Sequence, residues 1–452
     1  MIRKFISRVF GRKASSVHSK PVSLSLKQHG IRHEAISKGS LRTVEMLQKQ
    51  GFKAYVVGGA VRDLLAGLTP KDYDVVTDAT PEEVRRCFRR ARLIGRRFQI
   101  VHVMMGAETI EVTTFRGHHE TQSSRAQTDS EGRVLRDNVF GNQAEDAARR
   151  DFTVNALYFD PLSETILDYH QGLPDLQQKT LRMIGDPATR YREDPVRMLR
   201  AVRLSAKLGF SIAAETRAPI FELSGLLENV PPSRLFDEML KLLTSGHALK
   251  CIDALRAHAL QHGLLPWLET TLEQPQGERF IRRALENTDQ RVREGKSISP
   301  GFLFATLLWN EVLDKWDAFK AQGERALPAL VLAMDDVLDK QAEKLAITRR
   351  IAGDIKDIWA LQARFEQRSG KRPYGVLEHL RFRAGYDFLL LRVDSGEIAA
   401  ELGEWWTAFL NGDGETRAAL LMPVKADETK KRRRRKRAKA PESVEASVSS
   451  ES

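Results

Sequence analysis

Residues 54–78, AYVVGGAVRDLLAGLTPKDYDVVTD, decide the fold of this chain. The apolar run Tyr55–Val57 predicts a β-strand, which Gly58-Gly59 ends at a tight turn before a predicted helix. A second predicted strand then carries Asp72 and Asp74. Alternate strand positions point to the same side, so these two carboxylates are expected to converge. The stretch predicts an acidic pair close to a glycine turn at a helix N-terminus.

That arrangement suits a nucleoside triphosphate bound together with two metal ions. The N-terminus of a helix attracts phosphate, and Mg²⁺ prefers carboxylate and phosphate oxygens as ligands. Two such ions can activate an attacking hydroxyl and stabilise a leaving pyrophosphate. An Asp-x-Asp pair alone is weakly specific, and the glycines have a purely steric interpretation as a strand-to-helix turn. Arg62 is expected to pair with phosphate or with the neighbouring Asp63.

The composition indicates a globular protein that binds a polyanion. The chain has 452 residues, enough for roughly three domains, and 42% of its residues are hydrophobic. Its formal net charge of +12 favours a polyanionic partner. The two cysteines, Cys87 and Cys251, are too few for a disulfide framework, which fits a reducing, cytoplasmic environment. No apolar run approaches the length of a membrane span.

The predicted fold class is α+β, a small mixed β-sheet head followed by all-α segments. Residues 1–35 form a basic leader that we expect to be disordered, with an organellar transit peptide as the alternative. The head is expected over residues 36–185, a helical neck over 186–275 and a helical body over 276–425. Residues 426–452 form a disordered basic tail, because the charges in Lys430–Lys439 repel one another.

Local patterns predict the elements of the head. Apolar periodicity predicts a helix over Ser37–Gln50 that Gly51 ends, and Thr80 with Pro81 predicts the start of another that ends near Arg92. Two alternating segments around Gly106 predict a β-hairpin. The hairpin's second strand carries Glu111, a possible additional carboxylate of the acidic site. Residues 117–132 predict a solvated loop in which His118-His119 lack further metal ligands.

Two later segments carry polar blocks on predicted helices. Residues 145–158 predict a helix with Asp151 and Asn155 on one face. Residues 191–210 predict one long helix on which Asp194, Arg197 and Arg200 share a stripe. Spacing alone would make this stripe a salt-bridged surface helix.

The order of these motifs resembles the polymerase-β-type nucleotidyltransferases, in the branch of tRNA CCA-adding enzymes and bacterial poly(A) polymerases. Gly-Gly-Ala-Val-Arg-Asp followed by Asp-x-Asp is similar to the signature of that family. Arg-Arg-Asp-Phe-Thr-x-Asn-Ala, residues 149–156, resembles its middle motif. Glu-Asp-x-x-Arg-x-x-Arg, residues 193–200, resembles its nucleotide-selecting motif. The helical remainder is similar to the family's neck and body.

The resemblance implies a role for each matching residue. Asp72 and Asp74 would hold two catalytic Mg²⁺ ions, and Asp151 would be the third acidic catalytic residue. Asp194 and Arg197 would contact the base edge, where a carboxylate accepts from the adenine amine and a guanidinium donates to a ring nitrogen. Glu193 and Arg200 would support them by ion pairing. The residues expected to bind the nucleotide are Gly58, Gly59, Arg62, Arg150, Asn155, Asp194, Arg197 and Arg200.

The resemblance leaves two activities open and favours one. The segment 93–103, with the basic pair Arg96-Arg97, is similar to bacterial poly(A) polymerases, whereas CCA-adding enzymes tend to a shorter turn. A cationic tail would hold RNA without reading its sequence. We therefore expect template-independent addition of AMP from ATP to RNA 3′ ends. CCA addition to tRNA is the alternative, followed by an RNA-binding adaptor without activity and a small-molecule transferase. A monomer is expected, with RNA-decay proteins recruited by the tail.

Overall fold

A computed structural model describes residues 20–95, 99–117, 127–128, 134–136 and 139–423. Its strands lie in the first half of the chain. They are β1 Val22–Leu24, β2 Ala54–Val57, β3 Asp74–Thr77, β4 Ala91–Ile94, β5 Ile100–Met105, β6 Glu108–Thr114, β7 Gln127–Thr128, β8 Val134–Arg136, β9 Leu157–Asp160, β10 Thr165–Asp168, β11 Thr180–Leu181 and β12 Ser211–Ile212.

Helices are interspersed with the strands and then make up the rest of the described chain. They are α1 Leu26–His29, α2 Lys38–Lys49, α3 Gly59–Leu65, α4 Pro81–Cys87, α5 Gln143–Arg149, α6 Gly172–Gln177, α7 Pro187–Glu193, α8 Val196–Leu208, α9 Ala214–Leu223, α10 Pro232–Leu243, α11 Ala248–Ala257, α12 Leu268–Glu273, α13 Pro275–Arg293, α14 Pro300–Ala321, α15 Ala326–Lys344, α16 Arg349–Phe365, α17 Arg372–Leu377, α18 Phe382–Asp394, α19 Ala400–Asn411 and α20 Gly414–Leu420. Short 3₁₀ turns occur at His33–Ala35, Thr153–Asn155, Ser224–Asn229 and Gln261–Gly263. The predicted α+β class is confirmed.

The chain divides into two compact units. The first contains the residues up to Glu273 together with Ala284–Ile298 and Leu338–Ile347. The second contains Gln274–Arg283, Ser299–Val337 and the residues from Thr348 onward. All described strands belong to the first unit.

The first unit is built on one eight-stranded mixed sheet. Its strand order is β1-β10-β9-β2-β3-β6-β5-β4. Every neighbouring pair is antiparallel except β3 and β6, which run parallel. Parallel neighbours cannot be joined by a tight turn, and here the connection from β3 to β6 passes through α4, the edge strand β4 and its neighbour β5.

Helices α2 and α4 cover one face of this sheet. The alternation predicted for the hairpin is present, because Ile110 and Val112 on β6 are buried while Glu111 between them is exposed. The buried side chains join Val44 of α2 and Val84 of α4 in the main core. A smaller cluster lies on the opposite face and contains Val57, Val76, Phe115, Ala147 and Tyr158.

The predicted starts and stops of two helices are found at the expected residues. Ser37 caps α2, and Gly51 beyond its end has φ 88°, a conformation that favours glycine. Thr80 and Glu83 form a reciprocal capping box at α4. The expected end of α4 near Arg92 was wrong, because the helix ends at Cys87 and strand β4 begins at Ala91.

The leader is ordered over part of its predicted disordered range. Residues 1–19 lie outside the described residues, but Val22–Leu24 pair with β10 as an edge strand. Leu24, Ile31 and Ile36 are buried in the main core. The expectation of disorder is therefore wrong for residues 20–35, because a few apolar side chains without a regular period suffice when an existing sheet edge accepts them.

The segment 145–158 is not one helix. Helix α5 ends at Arg149, where Arg190 donates to the carbonyl oxygens of Arg149 (2.6 Å) and Arg150 (2.9 Å). A 3₁₀ turn follows, and Leu157–Asp160 then form strand β9 between β2 and β10. A short apolar run has no periodicity that separates a buried strand from a buried helix, which explains the wrong prediction.

The segment 191–210 is likewise two helices rather than one. Helix α7 ends at Glu193, and Asp194 takes extended angles (φ −150°, ψ 92°) before Pro195. A residue before proline avoids the helical region because the proline ring clashes with it. Asp194 therefore lies at a bend between α7 and α8, and it does not share a continuous helical stripe with Arg197 and Arg200.

The second unit has an aromatic core. Trp309 and Trp359 are fully buried, and Phe388 packs edge-on against Trp309 at 5.3 Å. The Trp359 indole donates to the carbonyl of Ala305 (3.1 Å), which joins α16 to α14. A further cluster unites α16 to α19 around Phe365 and Trp406.

Several predicted features lie outside the described residues. These are the basic pair Arg96-Arg97, the His118-His119 pair and the tail from 426 onward. No helix in the described part of the chain is long and apolar enough to cross a bilayer.

Two helical glycines in the second unit provide a test of its packing. An added Cβ at Gly385 would lie 3.1 Å from Cβ of Leu361 on α16, whereas Gly353 has open space around it. We expect Gly385→Ala to lower the thermal midpoint. Gly353→Ala, the matched control, should raise stability by about 0.5–1 kcal/mol because alanine loses less backbone entropy in a helix. Equal effects measured by calorimetry would contradict the close packing of α16 on α18.

Candidate active site

The sheet register brings the predicted acidic and glycine motifs together. Val57, the last residue of β2, pairs with Asp74, the first residue of β3. The Gly58-Gly59 turn therefore begins directly beside Asp74. On the other side of β3, the parallel pairing places Glu111 in register with Asp74. Two carboxylates from different strands thus stand next to each other at the end of the glycine turn.

The proximity of these groups changes the protonation of Asp74. Asp74 is exposed at the start of β3, and the charges of Glu111, Arg150 and Asp72 act on its carboxyl group. Partial removal from water and the negative charge of Glu111 raise the pKa of Asp74 to about 6, with a smaller contribution from Asp72, while Arg150 acts in the opposite direction. Neighbouring carboxylates that repel one another in this way form a site that a cation would stabilise.

Asp72 reaches the same region from outside the strand. It is exposed and precedes β3, so the prediction that it lies on the strand with Asp74 was wrong. Tyr73 between the two aspartates donates its hydroxyl to the carbonyl of Ala35 (2.9 Å), which anchors this segment to the N-terminal region.

The carboxylates around Asp74 do not form a closed metal cage. Within the described residues, three potential metal ligands lie within 4.8 Å of one another only at His33, Glu34 and Glu164. This group is near the β1 edge of the sheet, away from Asp74. A wider spacing of Asp72, Asp74 and Glu111 fits Mg²⁺ that completes its shell with phosphate oxygens and water.

The glycine turn lies between two arginines. Gly58 has φ 76°, and a Cβ there would lie 3.5 Å from Nη1 of Arg150. A Cβ on Gly59 would lie 3.5 Å from Nη2 of Arg62. Arg150 is held in place by Asp146 (3.0 Å) and by the hydroxyl of Tyr158 (3.0 Å). Its pKa is raised because these partners outweigh the effect of burial. A cation is thus fixed beside the turn, where a phosphate could approach.

Arg62 is engaged within the protein. Its guanidinium is buried and donates to Asp63 Oδ1 (2.6 and 2.9 Å) and to Asn155 Oδ1 (2.6 Å). Asp63 also accepts from Lys207 of α8 (2.9 Å). Arg62 was expected to pair with a phosphate or with Asp63, and in the structure it pairs with Asp63.

Asn155 continues this network to Asp151. The Asn155 amide donates to Asp151 Oδ1 (2.9 Å), and Arg200 contacts Asp151 Oδ2 through Nε (2.8 Å) and Nη2 (2.6 Å). Burial alone would raise the pKa of Asp151, but the Arg200 charge and the hydrogen bonds outweigh it and hold that pKa well below its usual range. Arg200 therefore pairs with Asp151, and its expected support of Asp194 and Arg197 stays a prediction.

Asp194 and Arg197 lie at the junction of α7 and α8. Arg197 donates to Glu193 Oε2 (3.1 Å) and to the Arg190 carbonyl (2.9 Å). Glu193 thus supports Arg197, as predicted. Asp194 Oδ2 accepts from Arg234 of α10 (3.2 Å). Oδ1 of Asp194 is buried, makes no hydrogen bond to a described residue and lies 3.2 Å from Nη2 of Arg234, so both carboxylate oxygens face the same guanidinium.

Five arginines cluster near these motifs, and three of them, Arg116, Arg149 and Arg190, were not among the predicted site residues. Burial and the charges of Arg116, Arg190, Arg197 and Arg150 lower the pKa of Arg149 to about 9. Arginines that lower one another's pKa in this way favour a bound polyanion. The members come from distant parts of the chain, and only Arg149-Arg150 are adjacent, so spacing in the sequence contained no signal for the cluster.

Three family models match consecutive parts of the chain. The model of the poly A polymerase head domain matches residues 54–182. A probable RNA and SrmB-binding site of polymerase A matches residues 209–272. The model of the arginine-rich C-terminus of polymerase A matches residues 322–440.

Curated relatives agree with these models. The chain is 45% identical over 427 residues to poly(A) polymerase I of Salmonella typhimurium, covering 92% of this chain and 91% of that protein. It is 45% identical over 402 residues to poly(A) polymerase I of Haemophilus influenzae, covering 87% and 89%. A CCA-adding enzyme of Bacillus pumilus is 35% identical over 54% of this chain and 59% of its own length.

A solved structure has the same fold. The CCA-adding enzyme of Bacillus stearothermophilus in complex with CTP is similar with a TM-score of 0.54 and 25% identity, covering 82% of this chain and 81% of that one. The extended match to curated relatives and the three consecutive family models have one explanation: the chain belongs to the poly(A) polymerase family.

Proposed function

We propose that this chain adds AMP from ATP to RNA 3′ ends without a template. The observation that carries the proposal is the register of Asp74 between the glycine turn and Glu111, in a chain whose near full-length relatives are poly(A) polymerases. The turn supplies N–H groups for a triphosphate, and the carboxylates supply metal ligands.

We assign metal binding to Asp72, Asp74 and Glu111. Mg²⁺ bound there would polarise the α-phosphate and lower the pKa of the attacking 3′ hydroxyl. Glu111 is the third carboxylate favoured by geometry because it lies in register with Asp74. The catalytic role expected for Asp151 stays a prediction. Its contacts with Arg200 and Asn155 favour a positioning role, because both of its oxygens are already engaged.

The ATP site combines the residues around the turn with the arginine cluster. Gly58 and Gly59 let the triphosphate approach the backbone, and Arg150 stands beside them. The charge of Arg149 and its neighbours would be offset by the phosphates. Asp194, which pairs with Arg234, would accept from the adenine amine, and Arg197 would donate to a ring nitrogen.

The alternatives receive less support. A CCA-adding relative matches about half of this chain, whereas the poly(A) polymerases match most of it. An RNA-binding adaptor without activity would have no need of carboxylates so close together that they raise the pKa of Asp74. The monomeric state, the cytoplasmic location and the decay-protein partners stay predictions.

Extension of RNA tests the proposed activity directly. Wild-type protein with Mg²⁺, a generic RNA and each nucleotide in turn should produce long A-tracts from ATP. Asp74→Asn should lower kcat by roughly 10²-fold or more because a metal ligand is lost. Asp78→Asn at the other end of β3 is the matched control and should retain activity. Addition of C before A, confined to tRNA ends, would overturn the proposal in favour of CCA addition.

Asp194 gives a separate test of base selection. Asp194→Ala removes the acceptor for the adenine amine, so ATP should lose its advantage over GTP by about tenfold in kcat/KM, the value of one lost hydrogen bond to a charged group. The KM for RNA should stay unchanged. An undiminished preference for ATP in competition assays would assign base selection to other residues.

The Asp151–Arg200 pair predicts a pH-dependent stability. The pKa of Asp151 is lowered by folding, so its contribution is fully present above its unfolded pKa of about 4 and is lost as the pH falls toward the folded value. At pH 7 we expect Asp151→Asn to cost about 2 kcal/mol, since Arg200 keeps some contact with water. The difference in thermal midpoint from wild type should shrink below about pH 4.

Asp237→Asn, an exposed position on α10, is the control for this test and should leave the midpoint unchanged at every pH. A catalytic role for Asp151 would appear differently. In that case Asp151→Asn would abolish extension while the midpoint at pH 7 stayed at the wild-type value.

A further inference from the structure

Next to Asp74 the sheet has an open face, by which we mean a face with several exposed side chains among the described residues. Strands β6, β5 and β4 are covered on one side by α2 and α4. The side chains that point the other way reach solvent. Thr109 and Glu111 on β6 are exposed, Met104 on β5 is 40% exposed, and Ile94 on β4 is 41% exposed. This open face, which lies on the side of Glu111, extends from the proposed metal site to the edge of the sheet.

The register orders the open face into rows across the strands. Asp74 pairs with Glu111, Glu111 with His102, and His102 with Arg92. The His102 Nε2 atom lies 3.3 Å from Glu111 Oε1. Three strand spacings separate Asp74 from Arg92, a distance of about 14 Å. The row therefore changes from acidic at the proposed reaction centre to basic at the edge.

The adjoining rows add a second cation and apolar surface. The Met104 amide donates to the Arg90 carbonyl (2.9 Å), which continues the β4–β5 pairing by one residue beyond Ala91 and puts Arg90 on the same side as Arg92. Ile94 pairs with Ile100 at the other end of β4. The open face thus carries two arginines at its edge, with Ile94 next to Arg92 along β4 and Met104 opposite Arg90 on β5.

No carboxylate of the described residues neutralises either edge arginine. Arg90 and Arg92 are exposed, and neither forms an ion pair with any described residue. By contrast, the arginines around the glycine turn, such as Arg62 and Arg150, are paired with carboxylates. Proteins hold single-stranded nucleic acid through cations that contact its phosphates and rings that stack on its bases, and on this face His102 supplies a ring between the arginines and Glu111.

We propose that the single-stranded 3′ end of the RNA lies across this open face. Its terminal hydroxyl would be at the carboxylates around Asp74, its upstream phosphates at Arg92 and Arg90, and its bases against His102, Met104 and Ile94. The inference rests on the proposed function, and it adds the path of the acceptor strand on the head. The open face begins at the proposed reaction centre around Asp74 and ends at the cationic side chains of Arg90 and Arg92. This arrangement fits an RNA strand that enters over the edge strand β4.

The test is a charge reversal of the two edge arginines in the full chain. Arg90→Glu with Arg92→Glu should raise the KM for an oligoadenylate primer roughly tenfold or more. The slope of log affinity against log salt should fall by about 1.4, which is about 0.7 for each lost phosphate contact to a single strand. The KM for ATP and the kcat at saturating primer should stay near wild type. The neutral pair Arg90→Gln with Arg92→Gln should show a smaller change in the same direction.

Lys27→Glu with Arg32→Glu is the matched control. Both residues are exposed beside β1, the opposite edge of the same sheet, and the change of net charge is the same. Equal primer KM values for the edge variant and this control would overturn the inference while extension by wild type upheld the proposed function. Wild type that extends no RNA would refute the proposed function instead. If the edge variant lost binding to an acidic protein while its primer KM and kcat stayed at wild-type values, the face would be assigned to protein binding and the inference would also be overturned.

Discussion

The parallel pairing of β3 with β6 is the constraint on which the site depends. It places Asp74 and Glu111 in register, so two negative charges face the solvent on neighbouring strands. Partial removal from water and this repulsion raise the pKa of Asp74, and the charge of Arg150 offsets only part of that rise. Local destabilisation of this kind is typical of functional sites, where a ligand supplies the missing charge.

The glycine turn and the helical neck segment are tied to this centre by a chain of hydrogen bonds. It runs from Arg62 beside Gly59 through Asn155 and Asp151 to Arg200 on α8. Each member is held by at least one charged partner, which is stronger than a neutral hydrogen bond. The residues that would read the base at the α7–α8 bend are therefore fixed relative to the residues that would hold the phosphates.

The distribution of charge separates two kinds of arginine. Those near the reaction centre are buried or paired, and several lower one another's pKa, so they favour a compact polyanion such as a triphosphate. Those at the edge strand β4 are exposed and unpaired among the described residues, which suits an extended polyanion held without sequence reading. The first unit thus offers one basic surface for the triphosphate, near the reaction centre, and another for the RNA strand, at β4.

The sequence by itself determined the local chemistry: the glycine turn, the acidic pair, the capped helix at Thr80 and the hairpin carrying Glu111. These depend on neighbouring residues and on periodicity, which a linear chain displays. Only the tertiary structure decided that 157–160 is a central strand, that Asp194 lies at a bend, that Asp151 pairs with Arg200 and that Glu111 adjoins Asp74. Such features arise from pairings between residues far apart in the chain, and local propensity carries no information about which strands and helices will meet.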